Sequence, residues 1–168
     1  MMARRGFLAG LAGLAGGLVF ARHGYAAAVN APARPDSIEP IELSADEWKQ
    51  RLTSAQYRIL REEGTERAGT SELNAEKRDG DYLCAACGLV LFGSKWKYDS
   101  RTGWPSFYDV HRAHIGTKVD KKLFYERTEY HCTRCGGHQG HLFEDGPDPT
   151  GLRYCNNGLA LEFRPRQG

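Results

Sequence analysis

Two short elements constrain this chain more than anything else in it. They are Cys84-Ala-Ala-Cys87-Gly88 and Cys132-Thr-Arg-Cys135-Gly136, with 44 residues between them. In each, the glycine permits a tight backbone turn that points both sulfurs at one place. Two such turns brought together form a tetrahedral set of soft ligands, which suits zinc or iron. A site closed by four sulfurs leaves no open position for a substrate, so the expectation is one structural zinc ion held by Cys84, Cys87, Cys132 and Cys135. Two disulfides or an iron centre are the alternatives that the spacing leaves open. A metal cross-link also helps a small domain whose core is modest.

The remainder of the chain fits around that cross-link. Its 168 residues suffice for one domain and one core. The first 28 residues read as a targeting segment. Arg4-Arg5 precedes an apolar run from Gly6 to Phe20, rich in glycine and alanine, and small residues follow, ending in Ala26-Ala27-Ala28. This resembles the signal of the bacterial twin-arginine route, which carries proteins already folded, so a metal can be loaded before the oxidising compartment is met. The expected organisation is therefore a signal peptide over 1–28, an extended proline-containing lead-in over 29–42, and a folded domain over 43–165. The expected location is the bacterial periplasm. Removing residues 1–28 leaves 20 basic against 21 acidic residues. That balance argues against a nucleic-acid partner, and nothing in the mature chain calls for a membrane.

Within the domain, Ser44–Glu47 and Thr53–Gln56 each have the spacing of a capping box. They predict two short helices, the first carrying Trp48 and Leu52 on one face, the second carrying Ile59 and Leu60 inward and ending near Gly64. Beyond Gly80 the pattern changes to short β-prone pieces between glycine turns: 82–85, 89–92, 122–125, 129–132, 141–143 and 159–163. The fold class expected is mainly β, with two short N-terminal helices packed on a small antiparallel β domain.

The fifth cysteine, Cys155 in Gly-Leu-Arg-Tyr-Cys-Asn-Asn, has no internal partner once four thiols are committed. A buried small hydrophobe is one reading. The other is a reactive thiol. If 153–155 is strand, Arg153 and Cys155 share a face, and the guanidinium should lower the thiol pKa, with Asn157 continuing that face if the strand runs on. His138 and His141, among glycines in Gly-Gly-His-Gln-Gly-His, can act as proton-transfer groups or as metal ligands. Trp104 in Gly-Trp-Pro-Ser-Phe is either core or the wall of a pocket for a methyl or thioether group.

The segments CAACG, GWPSF, RTEYHCTRCGGHQGHLF and DGPDPTGLRYCNNGLAL, with LTSAQYRILREEGTE before them, together resemble the methionine-R-sulfoxide reductases, the MsrB family, from about Leu43 to Phe163. The resemblance implies a fold of two antiparallel β-sheets with a structural zinc on the four paired cysteines. It places the nucleophile at Cys155, with Arg153, Asn157, His138 and His141 as its catalytic neighbours. Trp104 falls on the wall that holds the substrate methyl group, and Phe107, which closes the same motif, is placed with it on the substrate side. The implied activity is thiol-dependent reduction of the R epimer of methionine sulfoxide in oxidised proteins or peptides, through a Cys155 sulfenic acid. A metal-ribbon scaffold without catalysis, or a metal-linked thiol sensor, would account for the paired cysteines but not for Cys155.

One departure from the family matters. Many members carry a resolving cysteine just before Gly-Trp-Pro-Ser-Phe, where this chain has Thr102. A hydroxyl cannot form that disulfide, so an outside thiol is expected to reduce Cys155, either a thioredoxin-like protein or a small thiol. Asn156 and Gly158 also differ from the residues usual in the family. Both changes are expected to be tolerated, since neither shares the strand face of Cys155.

Overall fold

Two capping boxes open the folded region. Ser44 Oγ accepts from the Glu47 amide at 3.3 Å while the Glu47 carboxylate accepts from the Ser44 amide at 2.8 Å, starting helix α1 (Ala45–Arg51). Thr53 and Gln56 repeat the exchange at 3.2 and 3.1 Å, starting α2 (Ser54–Leu60). Seven-residue helices are not stable alone. These are held by burial of Trp48, Leu52, Ile59 and Leu60. The Arg61 guanidinium adds a tie: it lies 4.9 Å from the Trp48 ring centroid and donates to the Cys135 carbonyl at 2.7 Å. α2 stops at Leu60, short of the expected Gly64, and the chain then turns through Glu63, at a φ of 54°.

The molecule is described here by a computed structural model covering residues 38–122 and 125–167. The signal peptide expected over 1–28 and most of the lead-in expected over 29–42 lie outside the described residues. Among the described residues, no helix is long and apolar enough to cross a membrane.

Two antiparallel sheets follow the helices, as expected. The smaller has the order β2 (Val90–Gly93), β1 (Gly80–Cys84), β9 (Leu161–Pro165). The larger runs β3 (Lys97–Tyr98), β4 (Ser106–Phe107), β8 (Arg153–Asn156), β7 (His138–Phe143), β6 (Arg127–Cys132), β5 (Ile115–Asp120). An aromatic core joins them. Phe92 of the small sheet stacks on Phe107 of the large one at 4.1 Å between centroids, and Tyr82 meets Phe107 edge-on at 4.9 Å. Tyr130 and Tyr154 meet edge-on beside them at 5.4 Å.

The structure adds to or departs from the sequence reading at three places. Phe107 does not face a substrate: it is completely buried in this core. The reason is strand alternation. Ser106 is paired with Cys155 and Phe107 with Tyr154, so the two residues of β4 project to opposite faces. The strand expected at 122–125 includes residues 123 and 124, which lie outside the described residues; the strand that precedes it, not foreseen in the sequence, is β5, which ends at Asp120. It is an edge strand with Thr117, Lys118 and Val119 exposed, so it shows no apolar alternation. The strand expected at 159–163 begins two residues later, after a 3-10 turn over Gly158–Ala160 that buries Ala160.

Candidate active site and metal cluster

The two cysteine turns meet as their spacing requires. Cys84 ends β1 and Cys132 ends β6. The amides of Gly88 and Gly136 close each turn onto the first cysteine's carbonyl, both at 2.8 Å, and both glycines have positive φ, 72° and 67°. The four sulfurs lie within 4.8 Å of one another, with Cys84 and Cys135 3.6 Å apart and Cys87 and Cys132 3.5 Å apart. All five cysteines are free, so the disulfide alternative is not the observed arrangement. Thiolates bound at about 2.3 Å in a tetrahedron stand roughly 3.8 Å apart, so these sulfurs need only small shifts to hold an ion. Gln139 supports that fit. Its side-chain amide donates to Cys84 Sγ at 3.3 Å, the kind of outer hydrogen bond that steadies a coordinating thiolate. The cluster is thus a candidate metal site closed on all four sides.

The fifth sulfur sits in different company. Across the large sheet, Tyr98, Ser106, Cys155, His141, Glu129 and Lys118 occupy paired positions on successive strands. Paired residues share a face, so Cys155 lies between Ser106 and His141 in one row. Close strand contact at this point depends on Gly140, where a Cβ would come within 1.9 Å of the Cys155 carbonyl oxygen. The glycine between the two histidines therefore makes room for β8. Beside Cys155 opens a cleft of about 110 Å³, whose lining includes Trp104, Phe143, His141, Arg127 and Asn157.

Arg153 is on the Cys155 face, as the alternation predicts, but it is shared. Its guanidinium makes two hydrogen bonds to Asp145, at 2.7 and 2.8 Å, and lies 4.2 Å from the Phe143 ring centroid. The expected lowering of the thiol pKa is not the net result. Burial pushes Cys155 above its ordinary value; the Arg153 charge and the Thr102 hydroxyl oppose this without overcoming it, and Asp145 adds to the upward push. Raised in this way, the partly buried sulfur favours its protonated form.

The two histidines separate in role by position. His141 lines the cleft, and its Nε2 is 2.7 Å from Asp120 Oδ2. Burial pushes the His141 pKa down while the Asp120 carboxylate opposes it. Asp120 itself is held well below the usual carboxylate range by the Lys122 amide, with His141 and Arg127 adding to the effect. A neutral His141 ring donating from Nε2 to Asp120 has Nδ1 left as an acceptor. His138 lies behind it, only 2% exposed, with ring centroids 5.5 Å apart. Its Nδ1 is 3.1 Å from Glu129 Oε1, an ion-pair distance without hydrogen-bond alignment.

Asn157 does not continue the strand. β8 ends at Asn156, and Asn157 begins the 3-10 turn. Its amide is fully engaged: Nδ2 donates to the Gln139 carbonyl at 3.1 Å, and Oδ1 accepts from the Glu66 amide at 3.0 Å. Asn156 is buried but satisfied, accepting from the Tyr130 hydroxyl at 2.7 Å and donating to the Asn157 carbonyl at 2.7 Å. The sequence reading missed Glu66. Its buried carboxylate accepts from the amides of Gly158 and Leu159, at 2.5 and 3.0 Å, and its carbonyl accepts from Trp104 Nε1 at 3.2 Å. One residue thereby fixes the indole wall and the turn that follows the lone cysteine. Asp120, Asp145, Arg127 and Phe143 were missed as well. Arg127 and Phe143 fall inside a motif already singled out, but their contacts depend on strand pairing.

Two layers of antiparallel sheet, a closed four-sulfur cluster and a separate cleft with one cysteine define a SelR-type domain. The family model described as the SelR domain matches residues 52–165. Proteins named peptide methionine sulfoxide reductase MsrB resemble the chain over most of their length. That of Methanosarcina barkeri is 50% identical over 128 residues, 76% of this chain and 90% of its own. That of Leptospira interrogans is 51% identical over 125 residues, 74% and 95% of the two chains, and that of Pseudomonas entomophila 45% identical over 130 residues, 77% and 99%. The chain belongs to the MsrB family of methionine sulfoxide reductases.

Proposed function

We propose that this protein reduces the R epimer of methionine sulfoxide in oxidised proteins and peptides, with Cys155 as the nucleophile. The observation that carries the reading is the pairing of Cys155 with His141 beside a cleft walled by Trp104. Each sulfoxide epimer needs its own enzyme, because methyl group, oxygen and peptide chain each demand a different wall. The indole face of Trp104 suits the S-methyl group through sulfur–aromatic contact. Arg127 and Asn157 border the polar side of the cleft.

The proton balance follows from the resting state. Cys155 gives its thiol proton to His141 Nδ1, and the thiolate attacks the sulfoxide sulfur. The imidazolium, steadied by Asp120, returns the proton to the sulfoxide oxygen as its bond to the methionine sulfur breaks. The hydroxyl so formed passes to the Cys155 sulfur as the bond between the two sulfurs breaks, so that methionine leaves and Cys155 is left as a sulfenic acid. Two equivalents of an outside thiol then restore the enzyme, giving a disulfide of the reductant and water. Thr102 stands where an internal resolving thiol would be, so the donor is a thioredoxin-like protein or a small thiol. His138 buttresses His141 in this scheme rather than meeting substrate.

Zinc is the metal that best suits four cysteine sulfurs, and Cys84, Cys87, Cys132 and Cys135 would hold it. It would supply a structural cross-link, with no part in the reaction. Export by the twin-arginine route, with cleavage near Ala28, completes the proposal and places the repair of oxidised proteins in the periplasm.

The test is turnover of separated R and S sulfoxide epimers with dithiothreitol as donor. The R epimer alone should be consumed, and Cys155→Ser should abolish the reaction while the metal content stays unchanged. Full activity in that variant would leave a metal-ribbon scaffold as the better account.

A further inference from the structure

Next to Cys155 lies a chain of three hydroxyl groups whose protons can be counted. Ser106, the cross-strand partner of Cys155, donates from Oγ to the Trp104 carbonyl at 3.1 Å. Ser100 Oγ is 2.7 Å from Ser106 Oγ, and Thr102 Oγ1 is 2.8 Å from Ser100 Oγ. A hydroxyl has one proton to give. Ser106 spends its own on the carbonyl, so Ser100 must donate to Ser106 and Thr102 must donate to Ser100. Thr102 is also a hydrogen-bonding neighbour of the Cys155 sulfur, and toward that sulfur its oxygen therefore turns lone pairs, not its proton. That arrangement suits a neutral thiol.

We propose that Ser106, Ser100 and Thr102 form a reversible hydroxyl relay that positions the Cys155 sulfur and answers its ionisation. When the thiol loses its proton, the three hydroxyls rotate together. Thr102 donates to the thiolate, Ser100 to Thr102 and Ser106 to Ser100, and the Trp104 carbonyl gives up its hydroxyl partner. One neutral hydrogen bond is exchanged for a charge-assisted one, which is roughly twice as strong. The relay thus favours the thiolate without any charged residue moving. Thr102, where no internal disulfide can form, is a positioning residue in this scheme.

Other groups also act on this sulfur: Arg153 with its partner Asp145 on the same face, Tyr98 from β3, Tyr130 from the core and His141 from β7. The relay is distinguished from them by hydroxyl substitutions that leave every charge in place. The inference rests on Cys155 being the reactive sulfur, and its test needs no sulfoxide.

The experiment is the pH dependence of Cys155 alkylation by iodoacetamide in the metal-loaded protein, read by peptide mass spectrometry. Thr102→Val should raise the apparent thiol pKa by about one unit, which is roughly tenfold slower alkylation below the pKa. Thr102→Ser should restore the wild-type profile, and Ser100→Ala should give a smaller shift in the same direction. Metal content and melting temperature check that each variant is folded; should Thr102→Val fail to fold, Thr102→Ala takes its place. A Thr102→Val profile that coincides with wild type overturns the relay. So does an equal shift in Thr102→Ser, which would assign the effect to packing, or a Ser100→Ala profile with no shift, which would cut the chain at its middle. If the wild type consumed no R-sulfoxide while the alkylation profile still moved as stated, the relay would stand and the reductase reading would fall.

Discussion

The four-cysteine cluster and the Cys155 cleft use the same atom for opposite ends. In the cluster, sulfurs face sulfurs 3.5 to 3.6 Å apart, under cover of two tight turns and the Gln139 amide. In the cleft, one sulfur stands among hydroxyls, an imidazole and a guanidinium, with open space before it. The first arrangement consumes every ligand position and offers nothing to a substrate. The second leaves the sulfur unspent. What decides a cysteine's chemistry here is the set of atoms within a few ångströms, and strand register and turn geometry supply that set.

Substitution on each side should separate the two regions most sharply. Cys132→Ser removes one sulfur from the candidate metal cluster that joins the β1 turn to the β6–β7 hairpin. It should release the ion and collapse the domain, read by metal content and circular dichroism, since structural zinc sites contribute folding energy outright. Cys155→Ser should silence the enzyme and shift the melting temperature by only a few degrees. A folded Cys132→Ser protein without metal would erase the contrast.

A smaller effect is expected from Glu66→Ala, which takes the carboxylate away from the Gly158 and Leu159 amides and loosens the turn after Cys155, while the main-chain carbonyl that holds the Trp104 indole stays in place. The cost should be about 3 kcal/mol in stability, with a fall in kcat/KM beyond what unfolding explains, checked by urea titration alongside turnover. Next comes Asp120→Asn. It leaves His141 without its anionic partner and should lower kcat about tenfold. Because the Asp120 pKa is depressed in the folded protein, the stability it contributes is present above its unfolded value and is lost as pH falls. The wild-type melting temperature should therefore drop faster than the variant's below about pH 4. The smallest effect has the opposite sign. The raised Cys155 pKa gives stability that is full below the unfolded thiol value and is lost as pH rises, so the gap in melting temperature between wild type and Cys155→Ala should move against wild type above about pH 8.5.

Much of this was legible in the sequence, for physical reasons. Capping boxes and CxxC-Gly turns are local, and both helix starts and the four-cysteine cluster fell where spacing put them. Arg153 and Cys155 shared a face because alternation is local too. What escaped was non-local. Phe107 was misplaced because its direction depends on its pairing with Tyr154, and β5 was missed because an exposed edge carries no apolar rhythm. The net rise of the Cys155 pKa could not be read from a nearby arginine. It needed the depth of the sulfur and the two bonds by which Asp145 occupies that arginine.

Gln139 gives the two regions a common fate. Its side chain touches a cluster sulfur, while its backbone carbonyl receives both the main-chain and side-chain amides of Asn157. A disturbance of the four sulfurs would thus reach the footing of the cleft through one shared hinge pin, and damage to the scaffold would be felt at the workbench.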